Sequence, residues 1–245
     1  MRYAERVDTG HASPAPAVSV VVPTLNEAGA VERCLASAAA DGVELVVSDG
    51  GSRDGTLEAV AETFPSAIVV SGPRGRGAQL NRGAAAASAG VLLFLHADCR
   101  LPSAWLPSVV TAASDPAAAL GCFRLHTEPP AGARAGRMER AWWRLLDLRS
   151  LGLGLPYGDQ AFFLARTTFE ALGGFADIPL MEDLDLARRC RRRGRIVRLP
   201  LEVRTTARRF ARHPFRARLC TLTFPFLFRW GVSTHRLARW YGDAR

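Results

Sequence analysis

The sequence predicts an α/β fold, a parallel sheet covered by helices on both faces, and three features carry that prediction. Short apolar runs, rich in β-branched residues, recur through the first hundred residues. Each ends in a polar, turn-forming loop, and each loop leads into a stretch whose apolar residues return at helical spacing. The 245 residues, 48% hydrophobic and 22% charged, suffice for one sizeable domain and exclude the disordered, collagen-like and disulfide-framework classes.

Taken in order, Val18 to Val22 is a buried strand stopped by Pro23, and helical spacing follows from about Asn26 to Ala40. Leu45 to Val47 is a second strand; it runs into Ser48-Asp49-Gly50-Gly51-Ser52-Arg53-Asp54-Gly55, and Thr56 to Thr63 is helical. The third unit is Ala67 to Val70, a loop from Ser71 to Gly77 with three glycines, and an Ala-rich helix to Ala89. The fourth is Val91 to Leu95, then His96-Ala97-Asp98 and a helix beginning near Pro102. Right-handed crossovers put all four strand-to-helix loops on one rim, where open α/β sheets bind ligands. The second half is less regular. It reads as a strand at Leu120 to Leu125, a helix at Met138 to Leu148, a glycine-rich loop at Gly152 to Gly158 and a strand at Ala161 to Ala165. A helix at Glu182 to Arg193 follows, then two short edge strands at Ile196 to Leu199 and Val203 to Thr206.

The basic excess is 32 residues, all arginine, against 23 acids, for a formal net charge of +9. Guanidinium groups pair bidentately with phosphates and carboxylates, so this charge suits nucleic acid, an anionic membrane surface or a phosphorylated small molecule and selects none of them. The cysteines, Cys34, Cys99, Cys122, Cys190 and Cys220, are odd in number and lack a Cys-x-x-Cys pair, so they read as reduced structural thiols. Residues 1–17 read as a loose leader without the apolar core of a signal peptide, which points to a cytoplasmic protein. No apolar run has the length of a membrane span. From Pro214 to Trp240 aromatic residues interleave with arginines, which suits a helix packed on the sheet or peripheral attachment to a membrane; packing is the expectation.

Several motifs occur together: Val20-Val21-Val22-Pro23-Thr24-Leu25-Asn26-Glu27, the loop Ser48 to Thr56, an aspartate after the fourth strand, Gly173-Gly174-Phe175, and Met181-Glu182-Asp183-Leu184-Asp185-Leu186. With them the chain resembles the family 2 glycosyltransferases of the GT-A fold from about Val18 to Arg209. Four shorter spellings, Gly75-Arg76-Gly77-Ala78-Gln79, Leu95-His96-Ala97-Asp98, Tyr157-Gly158-Asp159-Gln160 and Ala207-Arg208-Arg209-Phe210, are similar to one bacterial subgroup. That subgroup carries the label of radical-SAM/selenodomain-associated or arsenosugar biosynthesis glycosyltransferases. The resemblance implies an α/β, nucleotide-diphospho-sugar transferase-like mixed sheet with flanking helices. It also implies an inverting transfer from a nucleotide-sugar donor to an acceptor hydroxyl.

A nucleotide sugar presents a base edge, a ribose diol, a diphosphate and a reactive anomeric carbon, and each asks for a different group. Asp49 can accept a hydrogen bond from a uracil N–H or the ribose, or it can organise the turn before a glycine pair. The resemblance gives it the base contact, and Asp54 is left to cap the following helix. Pro23, Thr24 and Leu25 are expected against the base, Leu25 where relatives often carry an aromatic. Glu27 is expected on the ribose or at the first helix, and Gly50, Arg76 and Ala97 complete the donor set. Arg76 lies in a glycine-rich turn at a helix start, where backbone amides and the dipole attract phosphate.

Asp98 is the expected ligand for Mn²⁺ or Mg²⁺, which combine one or two carboxylates with substrate phosphates and water. His96 stands where the family carries the first aspartate of Asp-x-Asp. For Asp183 the resemblance implies the general base, a role suited to a carboxylate at a helix N-terminus, where the dipole favours the ionised form. Glu182 is grouped with it, and Arg209 is expected to stabilise the leaving diphosphate. Tyr157, Asp159 and Gln160 are expected to face the acceptor, a small molecule or a lipid-linked one.

The chain is thus expected to divide into a donor-binding part over 18–100, an acceptor-binding part over 101–213 and an amphipathic helical segment over 214–245. The expected donor is a UDP-sugar, and no nucleic-acid partner is expected. The rivals are a nucleotidyltransferase, which would release pyrophosphate, and a basic module docking on nucleic acid or lipid, whose binding would fall steeply with salt.

Overall fold

The computed structural model describes residues 15–129, 134, 136–207 and 214–242. The first half follows the expected alternation: β1 Val18–Thr24, α1 Val31–Ala38, β2 Val43–Asp49, α2 Thr56–Thr63, β3 Ile68–Ser71, α3 Arg76–Ala86 and β4 Val91–Phe94. These four strands are parallel, β2 between β1 and β3, and β1 between β2 and β4. Both faces of β1 are covered. Val20 and Val22 join one core cluster with Leu35 and Val47, while Val21 joins the other with Leu80 and Leu92. This two-sided burial is why the strand reads as an unbroken apolar run rather than an alternating one.

The sheet is mixed rather than purely parallel. Its order is β3-β2-β1-β4-β7-β6-β8-β5, with β5 Cys99–Arg100, β6 Ala118–Glu128, β7 Phe162–Ala165 and β8 Arg195–Thr206. Strand β7 runs antiparallel to β4 and to β6, β8 runs parallel to β6, and β5 runs antiparallel to β8. Helices α4 Trp105–Ala113, α5 Arg137–Leu153, α6 Arg166–Ala171 and α7 Glu182–Arg193 belong to this half; α8 Pro214–Arg229 and α9 Thr234–Tyr241 follow it.

Several expectations are corrected. Helix α1 starts at Val31 rather than Asn26, because Asn26 has a left-handed φ of 56° and a turn follows in which the Glu27 carbonyl accepts from the Ala30 and Val31 amides. Pro23 lies inside β1 instead of after it. Val21, on the same side of the strand, accepts from Leu95 where β4 runs out, so the amide that Pro23 lacks has no ladder partner to serve. The two short edge strands are one strand, β8, lying between β6 and β5. Its register against β6 shifts between the Cys122–Arg198 and Arg124–Glu202 pairs, and Pro200 sits in that interval. Helix α5 extends to Leu153, into the expected glycine loop, and the tiny β5 exists only by pairing with Thr205 and Arg204.

Close approach at Gly121 sets the β6–β7 junction: a Cβ there would stand 2.0 Å from the Phe163 ring. Beneath α8 and α9 a third, smaller cluster forms from Leu180, Cys220, Phe224 and Leu237. Among the described residues no helix is long and apolar enough to cross a membrane.

Candidate functional site

The four rim loops lie together because β1 to β4 point the same way. At the tip of β2, Asp49 is buried, and its carboxylate is fully engaged. Oδ1 accepts from the Thr24 hydroxyl at 2.9 Å and the Ser52 hydroxyl at 2.5 Å; Oδ2 accepts from the amides of Gly51 at 2.7 Å and Ser52 at 2.8 Å. Burial pushes its pKa up, but these donors outweigh it and hold the carboxyl below the usual range. The geometry is that of the turn organiser. The N-cap of α2 is Gly55 rather than Asp54; Asp54, one residue earlier, accepts the Thr56 amide at 3.1 Å and also the Ala28 amide, which ties the first two loops together.

A group whose folded pKa is depressed adds stability above its unfolded pKa and loses it as pH falls through the folded value. The stability of the wild type is therefore expected to decline on acidification below about pH 4, the unfolded Asp range. Asp49→Asn is expected to start less stable and to decline less, as read by chemical denaturation between about pH 2 and pH 6. Parallel declines in the two proteins would remove Asp49 from this role.

Gln79, on α3, fixes the same rim. Its Nε2 donates to the carbonyls of Thr24 and Ser48 at 2.8 and 3.0 Å, and its Oε1 accepts from the Gly75 amide at 3.2 Å. A Cβ on Gly50 would meet that side chain at 3.0 Å. The motif reading included Gln79 without giving it a task; its task is to lock the first three loops to one helix.

The chemistry gathers one strand further along. A cleft is lined by the polar residues Arg76, His96, Asp98, Tyr157, Asp159 and Asp183, by Thr127 of β6 and Thr205 and Thr206 of β8, and by residues of α8 and α9. Asp183 stands in the first turn of α7, whose acids lie at the N-terminus and whose arginines lie in the last turn, both favourable to the dipole. Met181, the N-cap, has a left-handed φ of 70°, a strained conformation for a residue with a side chain. The helix is pinned from behind. Arg189 donates to the carbonyls of Leu172 and Gly174, and Asn81 of α3 grips Phe175 through both backbone groups. The Gly173-Gly174-Phe175 motif is explained by this grip, since a Cβ on Gly174 would stand 2.6 Å from Asn81 Oδ1.

Asp183 Oδ2 accepts the Gly158 amide at 2.8 Å. A methyl group on Gly158 would stand 3.1 Å from that oxygen and 3.2 Å from His96 Nε2, so this glycine lets the loop after β4 and the N-terminus of α7 come together. Arg76 lines the cleft and reaches toward α7. Its Nε is paired with the fully buried Glu182, and its Nη2 lies 3.9 Å from Asp183. Burial works against the charged guanidinium, but the Glu182 and Asp183 carboxylates hold its pKa above even its ordinary high value.

His96, Asp98 and Cys99 each present a ligand atom, all within 4.8 Å of one another. Burial keeps the Cys99 thiol well above its ordinary pKa, which leaves an imidazole and a carboxylate as donors, a set that fits Mn²⁺ and, with more oxygen from substrate and water, Mg²⁺.

Of the expected residues, Arg76, Asp98, Tyr157, Asp159 and Asp183 share the cleft. Pro23, Thr24, Leu25, Glu27, Asp49 and Gly50 are on the neighbouring rim and do not line it, so of Asp49, Asp98 and Asp183 only the last two share the cleft. Ala97 faces the core, and only its backbone is left for a ligand. Gln160 is a strut rather than an acceptor contact: buried, it donates to the Phe123 carbonyl at 2.9 Å and accepts from the Tyr157 amide. Arg209 and residues 1–14 lie outside the described residues. Sequence reasoning missed Thr127, Thr205, Thr206, Thr221 and Tyr241, which carry no motif and reach the cleft only through the pairing of β6 with β8 and the return of α9.

The mixed sheet with flanking helices is that of the GT-A fold. Residues 19–173 match the family described as glycosyl transferase family 2, and the chain belongs to that family. It is 30% identical over 189 residues to a PGL/p-HBAD biosynthesis glycosyltransferase of Mycobacterium bovis, covering 72% of this chain and 70% of that one. It is 33% identical over 113 residues to glycosyltransferase AglE of Haloferax volcanii, but that stretch spans only 37% of AglE and 42% of this chain. Solved structures of the same fold include the mannosyltransferase PcManGT from Pyrobaculum calidifontis in complex with GDP-Man and Mn²⁺, with a TM-score of 0.65 and 23% identity over 94% of this chain and 71% of that one. TarS 1-349 from S. aureus in complex with UDP-GlcNAc gives a TM-score of 0.59 and 16% identity over 93% and 71%.

Proposed function

We propose that the chain is an inverting glycosyltransferase that moves a sugar from a UDP-linked donor to an acceptor hydroxyl. The observation that carries this reading is the convergence of Asp98 and Asp183 on one cleft from separate rim elements. Residues 18–100 supply the donor side and 101–213 the acceptor side. The acceptor oxygen attacks the anomeric carbon from the face opposite the diphosphate, its proton passes to Asp183, and the bond to the diphosphate oxygen breaks with its electron pair leaving on that oxygen. Asp98, with His96, would hold a divalent ion that supplies charge neutralisation for the leaving diphosphate. Arg76 and the Gly158 amide keep Asp183 in place, and Glu182 positions Arg76. The complexes of related folds with GDP-Man, Mn²⁺ and UDP-GlcNAc support the donor class.

UDP with Mn²⁺ is expected to raise Tm, and Asp98→Asn is expected to abolish the Mn²⁺-dependent part of the rise. No response to any nucleoside diphosphate would overturn the enzyme reading, and release of pyrophosphate instead of a nucleoside diphosphate would favour the nucleotidyltransferase.

A cytoplasmic location with peripheral contact at the inner membrane face belongs to the same proposal. Exposed Leu219, Leu222, Phe226 and Trp230 form one stripe along α8, and Arg229, Arg236 and Arg239 are exposed on α8 and α9. Co-sedimentation with anionic vesicles, lost on Phe226→Asp with Trp230→Asp, is the expected result; absence of the wild type from the pellet would exclude the contact.

A further inference from the structure

We propose that Thr127, its hydroxyl proton held by Asp147, accepts a hydrogen bond from a hydroxyl of a sugar ring in the cleft and so selects which sugar the site takes. The inference rests on reading the cleft as the sugar-transfer site, and it names a residue that discriminates among substrates there.

Thr127 stands near the end of β6, buried, and lines the cleft. Asp147 of α5 grips it twice: Oδ1 accepts the Thr127 hydroxyl at 2.6 Å, and Oδ2 accepts the Thr127 amide at 3.1 Å. The bond to the amide is enough to fasten α5 to the strand, so the bond to the hydroxyl has a separate effect. A threonine hydroxyl has one proton and two lone pairs. With the proton committed to a carboxylate, Oγ1 has only acceptor capacity left, and donation to an anion makes that oxygen a stronger acceptor. Among the described residues no group donates to it. An oxygen in this state takes its next hydrogen bond from a ligand that brings the proton, as a sugar hydroxyl does. A sugar with no hydroxyl at that place leaves a buried acceptor unpaired, and this is the kind of site that discriminates strongly.

The position suits a sugar ring. Thr205 of β8 is the register partner of Thr127, and Cys99 of β5, next to Asp98, is the partner of Thr205. Two strand spacings of about 4.8 Å set Thr127 roughly 10 Å from Cys99, beyond the proposed cation site and its diphosphate. The cleft carboxylates of the proposed reaction have other tasks, Asp98 toward the ion and Asp183 toward the proton. Thr127 supplies an acceptor without charge, which competes for neither.

The test is calorimetric titration of the full chain with two sets of probes. One set is UDP, UDP-glucose, UDP-galactose and UDP-GlcNAc in the presence of Mn²⁺; the other is the methyl glycosides of glucose, galactose and mannose, with and without UDP. Thr127→Val, which conserves shape and the amide bond to Asp147, is expected to weaken one set by about 5- to 20-fold while UDP itself stays within about two-fold of wild type, and Thr127→Ser is expected to restore the loss. Loss of the advantage of a UDP-sugar over UDP assigns the hydroxyl to the transferred sugar; loss of methyl glycoside binding assigns it to an acceptor sugar. Asp147→Asn, whose amide can turn an N–H to Thr127 Oγ1, is expected to weaken the same probes, and it carries the comparison if Thr127→Val does not fold. Wild-type affinities in both variants would overturn the proposal, and so would a loss shared equally by UDP, which is the mark of a purely structural clamp. A wild type that binds no UDP-sugar more tightly than UDP and no methyl glycoside would overturn it as well. Absence of UDP binding counts against the donor reading, and the glycoside titration without nucleotide then decides this proposal by itself.

Discussion

Asp183→Asn is expected to lower the transfer rate by about 10²- to 10⁴-fold, the range that a positioned general base contributes, with little change in UDP affinity. Asparagine retains a side-chain oxygen that can accept the Gly158 amide, now 2.8 Å from the carboxylate, so the loop geometry survives while the proton acceptor is lost. The side chain is also small and 13% exposed, which limits any folding penalty. Single-turnover kinetics with labelled donor, alongside the Tm of the UDP complex, separates the two effects. A variant that keeps wild-type turnover would take the base role away from Asp183.

Arg76→Ala is expected to be the most destabilising single change at the site. Glu182 is fully buried and its charge is matched by the Arg76 guanidinium, so removing the cation leaves a carboxylate in the interior. Breaking a buried pair from one side costs about 3–5 kcal/mol, and in a chain of this size each kcal/mol lowers Tm by about 2–4 °C. The double variant Arg76→Ala with Glu182→Gln removes the stranded charge and is expected to recover part of the loss. If the single variant melts within about 2 °C of wild type, the pair does not carry this energy.

The legible part of the fold is the part in which each strand is buried on both faces and each helix follows at once. Thr56 to Thr63 and Glu182 to Arg193 were bounded correctly from sequence because a left-handed Gly55 and an acidic first turn mark their starts. Strand β8 was not legible as one element. Pro200 interrupts the pattern, and only the long partner β6 holds the two halves in line. Strand β5 has two residues and no pattern to recognise. The site divides in the same way. Asp98 and Asp183 were identifiable because each follows a motif at an element boundary, whereas Gln160 shares its motif with the cleft residues yet points to the Phe123 carbonyl. Arg76 was correctly drawn to the rim, but its partner is 106 positions away, and no local pattern shows that separation.

Asp183 and the terminal helices α8 and α9 share a support. Helix α7 is anchored through Asn81 and Arg189 to the sheet-covering layer, and α8 and α9 pack Cys220, Phe224 and Leu237 on Leu180 and Met181, the residues that lead into Glu182 and Asp183. A chimera that exchanges this terminal hairpin therefore also changes the packing at the start of α7, and it keeps Asp183 in place only if the contacts to Leu180 and Met181 are kept.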